Sequence, residues 1–557
     1  MNNWKKVSLG TLALASVGLL AACGNGGGDS KTATPQLSVP TNIATLDSGL
    51  ATDTYSNLFI GNTQEGLTRV DEEGVAQNAL ASDIKVSDDG LTYTITLREG
   101  LKWSNGDSLT ANDFLYSWQR AVNPATGSQY AYLLGNIKNA NEINSGKIKD
   151  LNELGVKVKG DTEIVVTLTQ PTPYFKFLLA NSVYMPVNKG AVEEFGKQYG
   201  TSSDKVVYSG PFMFKKDAGW TGTNNSYSLV KNPDYYDKDG VKSEEIGYTV
   251  QSNPNTAVQL FKQGKLDQAS LNTMDLYNAN KDYNDGKDLV VLKEATTAYL
   301  QYNQSGGGTS SPEVAKALQN KNIRDAINLA TDRKGIVDQF IPAGTVAETF
   351  TPAGMSVTAD GTDFAEFAKQ DYKYDAAKAK ELWEKGLKEV GVTSLNIQYT
   401  TDADAPVSKS TADFLQASLS KALPGLTLTQ KIVPFQQRLK DSQNQNFDIV
   451  LSLWGGDYAE PSTFLQLFAD GSGYNDGKFD NPAYQAAWTK ASTLPTVLDD
   501  KARDEAYKEA ETALFSESSI NPLYYRATPA LRNQHLKGLQ FNSTGLTYDL
   551  KGVYIEK

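Results

Sequence analysis

The chain of 557 residues has one cysteine, Cys23, and one histidine, His535. One thiol excludes an intramolecular disulfide, and one imidazole leaves Ser-His-Asp, Cys-His and His-rich metal chemistry without parts. No P-loop, no GxGxxG after a strand and no EF-hand loop occurs, so no cofactor and no metal are expected. Basic charge is also short. With 53 Lys and Arg against 65 Asp and Glu the net charge is −12, which argues against nucleic acid as a partner. Long apolar runs are equally scarce: the one at 7–20 spans about 14 residues, short of the roughly 20 that cross a membrane. Carboxylate pairs for glycoside hydrolysis stay open on so many acids, but no local pattern singles out a pair.

The short apolar run has a definite use. Lys5 and Lys6 precede it, and Leu20-Ala21-Ala22-Cys23 closes it, which together read as a lipoprotein signal. Small residues at 21 and 22 admit a signal peptidase, and Cys23 becomes a lipidated N-terminus. The rival reading is a plain secretory signal with a chance cysteine. Residues 1–22 are then a leader, and 23–34, rich in Gly, Ser and Thr, cannot bury enough surface to fold and act as a flexible tether. Loss of Lys5 and Lys6 leaves 51 basic against 65 acidic residues, a net charge of −14. About 535 residues remain, enough for several cores of roughly 100–200 residues each. Twenty-eight tyrosines suit wet recognition surfaces, although sheet and loop positions account for most such residues.

Alternation at 91–97 predicts a half-buried strand, Asn105-Gly106-Asp107 a turn, and 161–169 a second strand stopped by Pro171 and Pro173. Residues 65–204 read as one small α+β lobe. Further on the rhythm changes: strand 395–400, helix 412–423, strand 426–433, helix 435–442, strand 447–454. Such βαβαβ alternation predicts parallel pairing with right-handed crossovers. Asp375 caps a helix with Ala379, Leu382, Trp383, Leu387 and Val390 on one face, ended by Gly391. Another helix starts at Thr496, with Ala502, Ala506, Ala510, Ala513 and Leu514 inward. Ser305 to Gly308 is a surface loop.

Ligands of open parallel sheets bind beyond the carboxyl ends of strands, and the strand at 447–454 runs into Gly455-Gly456-Asp457-Tyr458-Ala459-Glu460-Pro461. Two glycines permit close backbone approach, Trp454 offers a wall, and Asp457 is an acceptor suited to an ammonium group. The alternative is that Trp454 is core and Asp457 caps the helix after Pro461. Spacing alone leaves both open.

Several stretches together carry a resemblance. Glu65-Gly66-Leu67-Thr68-Arg69, Asp88-Asp89-Gly90-Leu91-Thr92-Tyr93, 97–106 (Leu97 to Gly106 through Trp103), Thr110-Ala111-Asn112-Asp113-Phe114, Ser117-Trp118-Gln119-Arg120 and 454–461 fall in the order seen in oligopeptide-binding lipoproteins of ABC transporters. The chain thus resembles the OppA-like, family 5 extracellular solute-binding proteins over nearly its whole mature length. The resemblance implies an α/β, three-lobed clamshell of the periplasmic-binding-protein type with mixed sheets and an interlobe cleft. Lobe I is 35–64 with 205–297 and 526–557, lobe II is 65–204, and lobe III is 298–525. It implies a monomeric receptor, not an enzyme, that binds an oligopeptide and delivers it to ABC permease subunits. Lipid on Cys23 would hold it to the outer face of a cytoplasmic membrane, in a Gram-positive envelope.

By the same resemblance Asp457 meets the peptide's α-ammonium, Trp454, Gly455 and Gly456 line the adjoining strand, and Tyr130 faces the peptide from the small lobe. Thr54, Ser270, Phe435, Asn475 and Tyr524 match other cleft-facing positions. Some relatives carry arginines just before or within the 447–454 strand to meet a peptide carboxylate; 443–453 here has no Lys or Arg. The expectation is a preference for longer peptides, with the carboxylate in water or at another group such as Arg526. A receptor for a peptide signal or a non-peptide solute, and more distantly a surface hydrolase, are the rival functions.

Overall fold

The computed structural model describes residues 33–557 apart from 73, 404 and 405. Cys23, the leader and the tether up to residue 32 lie outside the described residues.

Three sheets organise the chain. The first has four strands in the order Gln36–Val39, Glu245–Val250, Ser226–Lys231, Phe212–Phe214, parallel at the first pair and antiparallel thereafter. Helix Thr54–Thr63 covers it. Asp53 starts that helix by accepting from the amides of Tyr55 and Ser56, and Phe59 packs edge-on against Tyr227 and Tyr248, centroids 5.3 and 4.8 Å away. The C-terminal tail joins this core through Asn62, whose side chain donates to the Tyr548 carbonyl and accepts from the Leu550 amide, both at 2.8 Å. Met185, Val187, Ala191 and Tyr199 pack into the same core.

The second sheet is antiparallel: Ala81–Val86, Thr92–Leu97, Glu163–Thr167, Val156–Lys159. Its period of two is strict where the sequence alternates: Tyr93, Ile95 and Leu97 are buried, while Thr92, Thr94 and Thr96 are half-buried. Helix Ala111–Val122 lies over it with Phe114 and Trp118 fully buried, the Trp118 indole donating to the Tyr184 carbonyl at 2.8 Å. A large aromatic in that position contributes about 3–5 kcal/mol relative to alanine. One member of this core comes from far along the chain: Tyr458 stacks face to face on Tyr174, centroids 3.9 Å apart and planes 2° from parallel.

The third sheet has seven strands. Its main path is Gln268–Ser270, Ile520–Arg532, Leu289–Tyr302, Ile449–Gly455, Leu395–Asp402, Leu426–Val433, with Thr345–Val346 pairing Ile520–Arg532. The βαβαβ block appears with helices Pro406–Ala422 and Phe435–Gln443, and its three strands pair in parallel, Leu395 with Leu426 and Tyr399 with Ile449. Helix Ala376–Val390 has Asp375 accepting from the Lys378 amide and Gly391 at φ 87°, as its sequence foretells. The helix expected from Thr496 instead runs Asp500–Ser516, because Asp499 caps it and 496–498 form a tighter turn; Ala506, Ala510, Ala513 and Leu514 are buried.

The sequence reading lacked the two long antiparallel strands, Leu289–Tyr302 and Ile520–Arg532. They run the length of this sheet and join the strand Gln268–Ser270 to the parallel block. Their ladder shifts register between Lys293 and Thr297 and again between Ala298 and Tyr299, the kind of irregularity that bends a strand pair.

Candidate functional site

Strand Ile449–Gly455 sets the site. One edge is fully paired with Leu289–Tyr302, from Ile449 on Tyr302 to Gly455 on Thr296. The other edge meets Leu395–Asp402 only at Ile449 and Val450. From Leu451 to Gly455 that edge has no ladder partner among the described residues.

At the end of this edge the chain turns through Gly456. A β-carbon there would lie 2.9 Å from Met355 Sδ and 3.3 Å from Phe464, so only glycine fits; at Gly455 the nearest side-chain atom is at an ordinary 3.4 Å. Thr463 Oγ1 accepts from the Asp457 amide at 3.0 Å, and the Trp454 indole donates to the Thr463 carbonyl at 2.9 Å. These two bonds fix the loop. They also bear on the two readings of Asp457, because the short helix Ser462–Leu465 has no side-chain cap. Among the described residues, no hydrogen bond or ion pair to the Asp457 carboxylate is found.

The carboxylate faces a cavity of about 160 Å³ lined also by Thr52, Thr54, Asn57, Tyr130, Asn181 and Ser182. Burial without a compensating donor raises its pKa from the ordinary carboxylate value to about 6. Tyrosines ring it. Tyr130 donates to the Thr52 carbonyl at 3.1 Å and sits edge-on to Tyr132, while Tyr474 packs edge-on to Trp454. Burial first, and then the Asp457 charge, push the hydroxyls of Tyr130, Tyr132 and Tyr474 upward, so these phenols stay neutral.

A second cavity of about 580 Å³ adjoins the first at Thr54 and Thr547 and extends over Ser270, Glu294, Thr296 and Arg526. Strip 541–548 lies along both. It is a hairpin loop between Gln540–Phe541 and Tyr548–Asp549, tightened by Asn542 donating to the Leu546 carbonyl at 2.8 Å and by Gly545 at φ 68°.

The structure therefore brings Asp457, Gly456, Tyr130 and Thr54 to one cavity, and Thr54 and Ser270 to its neighbour. Trp454 is half-buried beside them and Gly455 is exposed at the strand end. Phe435, Asn475 and Tyr524 line neither cavity. Phe435 is 41% exposed at a helix start, with the Arg438 guanidinium 5.0 Å from its ring centroid. Asn475 ties its own loop, donating to the Phe479 carbonyl at 2.7 Å and accepting from the Phe479 amide at 2.9 Å. Tyr524 is buried in the core of the large sheet. Beside Asn475, Asp476 is a second carboxylate raised to about 6, by burial first and against the pull of Lys478 and Arg438.

Sequence reasoning missed Asn57, Tyr132, Asn181 and the strip 541–548. Tyr132 could have been found, two residues from Tyr130 in one aromatic run. The strip offers only a polar, glycine-containing loop, which has no ligand signature of its own.

A crevice between packed sheets, with an unpaired strand edge and an unpaired charge, is the architecture of a protein that holds a solute. The chain belongs to the bacterial extracellular solute-binding proteins, family 5, whose model (family 5 middle) matches residues 76–476. It is 55% identical to a "Dipeptide-binding protein" of Lactococcus lactis subsp. cremoris (strain MG1363) over 556 residues, all of both chains. Among solved structures it is similar to Listeria monocytogenes OppA bound to peptide, 36% identical, TM-score 0.73, over 95% of this chain and 100% of that one. It is also similar to the pheromone receptor PrgZ, solved for its mode of peptide binding: 33% identical, TM-score 0.74, over 94% and 99% of the two chains. Among the described residues no helix is long and apolar enough to cross a membrane.

Proposed function

We propose that this protein is a lipid-anchored receptor that captures peptides between its lobes and delivers them to an ABC permease, without covalent chemistry. One observation carries the reading: the unpaired edge 451–455 leads directly to the unpartnered carboxylate of Asp457. An extended peptide adds a strand to such an edge, so main-chain hydrogen bonds supply affinity that ignores side chains. Its α-ammonium then supplies the cation that Asp457 lacks. The relatives' names, dipeptide-binding protein, OppA bound to peptide and a peptide-binding pheromone receptor, agree with this chemistry.

The lobes we assign are 35–64 with 205–297 and 526–557, then 65–204, then 298–525, corrected at one boundary because 185–199 pack into the core of the first lobe and not the second, with closure about the two long strands where their register shifts. A ligand drives closure only by the contacts it makes better in the closed state, and a peptide bridging Asp457 and Tyr130 makes such contacts. Lipid on Cys23 would keep the receptor within tether reach of the permease.

Calorimetry with trialanine and its N-acetyl form tests the ammonium role. Acetylation is expected to abolish measurable binding, and equal affinity of the two forms refutes the reading. A Cys23→Ser variant is expected to move the protein from the membrane fraction to the medium. The similarity to PrgZ favours a second reading, reception of one peptide signal. Native mass spectrometry of protein purified from cells separates the two: a mixture of retained peptides supports uptake, a single mass supports a signal.

A further inference from the structure

Two exposed tyrosines stand at the Asp457 cavity, one from each of two lobes. Tyr132, in the small lobe, is 50% exposed and rests edge-on against Tyr130, centroids 6.0 Å apart. Tyr474, in the large lobe, is 51% exposed and rests edge-on against Trp454 at 5.1 Å. The supporting rings are fixed, Tyr130 by the Thr52 carbonyl and Trp454 by the Thr463 carbonyl. Across the crevice the two exposed rings sense each other: after burial and the Asp457 charge, Tyr474 pushes the Tyr132 hydroxyl upward. Each thus offers an uncovered aromatic surface on an anchored base, ready for an apolar group from outside.

Strand register decides which group that is. The Gly456 amide donates to the Ala295 carbonyl at 2.8 Å, and the Asp448 carbonyl accepts from the Asn303 amide at 2.9 Å. Main-chain groups alternate along a strand, so 451, 453 and 455 turn theirs to the free edge. Asp457 lies past the strand's C-terminal end, so a peptide with its ammonium there runs antiparallel to the strand. Its first residue falls opposite Gly455, its second opposite Trp454 and its third opposite Leu453. Directly opposed residues share a face of the sheet. Leu453 packs with Leu451 on one core and Trp454 with Phe464 on another, so the two faces are distinct. The first side chain meets no side chain at Gly455, whereas the second lies beside Trp454 and Tyr474.

We propose that Trp454, Tyr474 and Tyr132 form an aromatic clamp for the ligand's second side chain, which makes this receptor selective for peptides whose second residue is aromatic or large and apolar. The inference rests on the peptide reading. Trp454 and Tyr474 belong to the large lobe and Tyr132 to the small one, so a large second side chain touches both. Those contacts exist only with the lobes together, so the side chain that is selected also favours closure.

Calorimetry on the mature chain compares trialanine with the three tripeptides in which one alanine is replaced by phenylalanine. Ala-Phe-Ala is expected to bind about tenfold tighter than trialanine, against about twofold or less for Phe-Ala-Ala. In Tyr474→Ala and in Tyr132→Ala the ratio of Ala-Phe-Ala to trialanine affinity is expected to fall to about threefold or less. Tyr474→Phe and Tyr132→Phe keep the rings and are expected to restore the parent's ratio. No gain from phenylalanine at the second position, an equal gain at the first or third, or a ratio unchanged in either alanine variant overturns the inference, while binding of trialanine keeps the peptide reading. Failure of every peptide to bind removes the peptide reading and this inference with it.

Discussion

Asp457 and Glu460 sit three residues apart in one loop, in opposite surroundings. Glu460 is saturated: Arg503 Nε and the Tyr507 hydroxyl each donate to Oε1 at 2.9 Å, and Ser462 donates to Oε2. Arg503 is itself anchored on the Val497 carbonyl and Asp500, both at 2.8 Å. Asp457 faces open volume with no donor to its carboxylate among the described residues. Glu460 is buried and Asp457 half-buried, so both charges are partly desolvated and the difference lies in what compensates each. A buried acid that the protein satisfies belongs to the frame, and one it leaves unsatisfied awaits something from outside.

Substitution should break this comparison most at Glu460. Glu460→Ala leaves the Arg503 guanidinium buried without its main counter-charge, and loss of about 3–5 kcal/mol of folding stability is expected in urea melts. Asp457→Ala should do the reverse. It removes an uncompensated charge, so the melt is expected to hold or improve, while calorimetry is expected to show a loss of about 2–5 kcal/mol in peptide affinity. Equal destabilisation by the two variants would erase the distinction.

That distinction was half legible in the sequence. The strand running into Gly455-Gly456-Asp457 marked the loop, because a short apolar run followed by paired glycines is a local signal. The βαβαβ block and the helix capped by Asp375 were legible for the same reason. What was not legible is long-range: Glu460 finds Arg503 43 residues away, and Tyr458 enters a core built from residues 67–184. The strands Leu289–Tyr302 and Ile520–Arg532 were missed because their inner halves are buried on both faces and show no alternation.

Proton binding sharpens the comparison further. Asp457 ionises near pH 6 in the ligand-free protein, above the roughly 3.9 of an unfolded aspartate. The folded state therefore keeps this proton longer than the unfolded chain, and the group lowers stability, by up to about 3 kcal/mol, as pH rises from about 4 to 6. Asp476 contributes in the same direction. Binding of an ammonium needs the ionised form, so affinity is expected to fall about tenfold between pH 7 and pH 5. In Asp457→Asn that pH dependence should flatten, whereas Glu460→Gln should leave it in place. A profile unchanged in Asp457→Asn would assign the titration to Asp476 or to the ligand.

The residue between the two acids should give the smallest effect. Tyr458 is tied at its hydroxyl to Ser462, within the Glu460 network, while its ring lies flat on Tyr174 of the small sheet's core. It joins the saturated acid to the lobe that faces the unsatisfied one. The stack exists only when the loop and that core are together, so it favours the closed arrangement whether or not a ligand is present. Offset or stacked aromatic pairs contribute about 0.5–1.5 kcal/mol beyond the area they bury. Tyr174→Leu keeps the apolar volume and removes the stack, and a two- to tenfold loss of peptide affinity is expected, with the preference for a free α-ammonium intact. Small-angle scattering of the ligand-free variant should show a larger radius than the parent. A variant that binds trialanine as tightly as the parent would show that closure is driven by the ligand's own contacts, and that the loop's two acids act without a link between them.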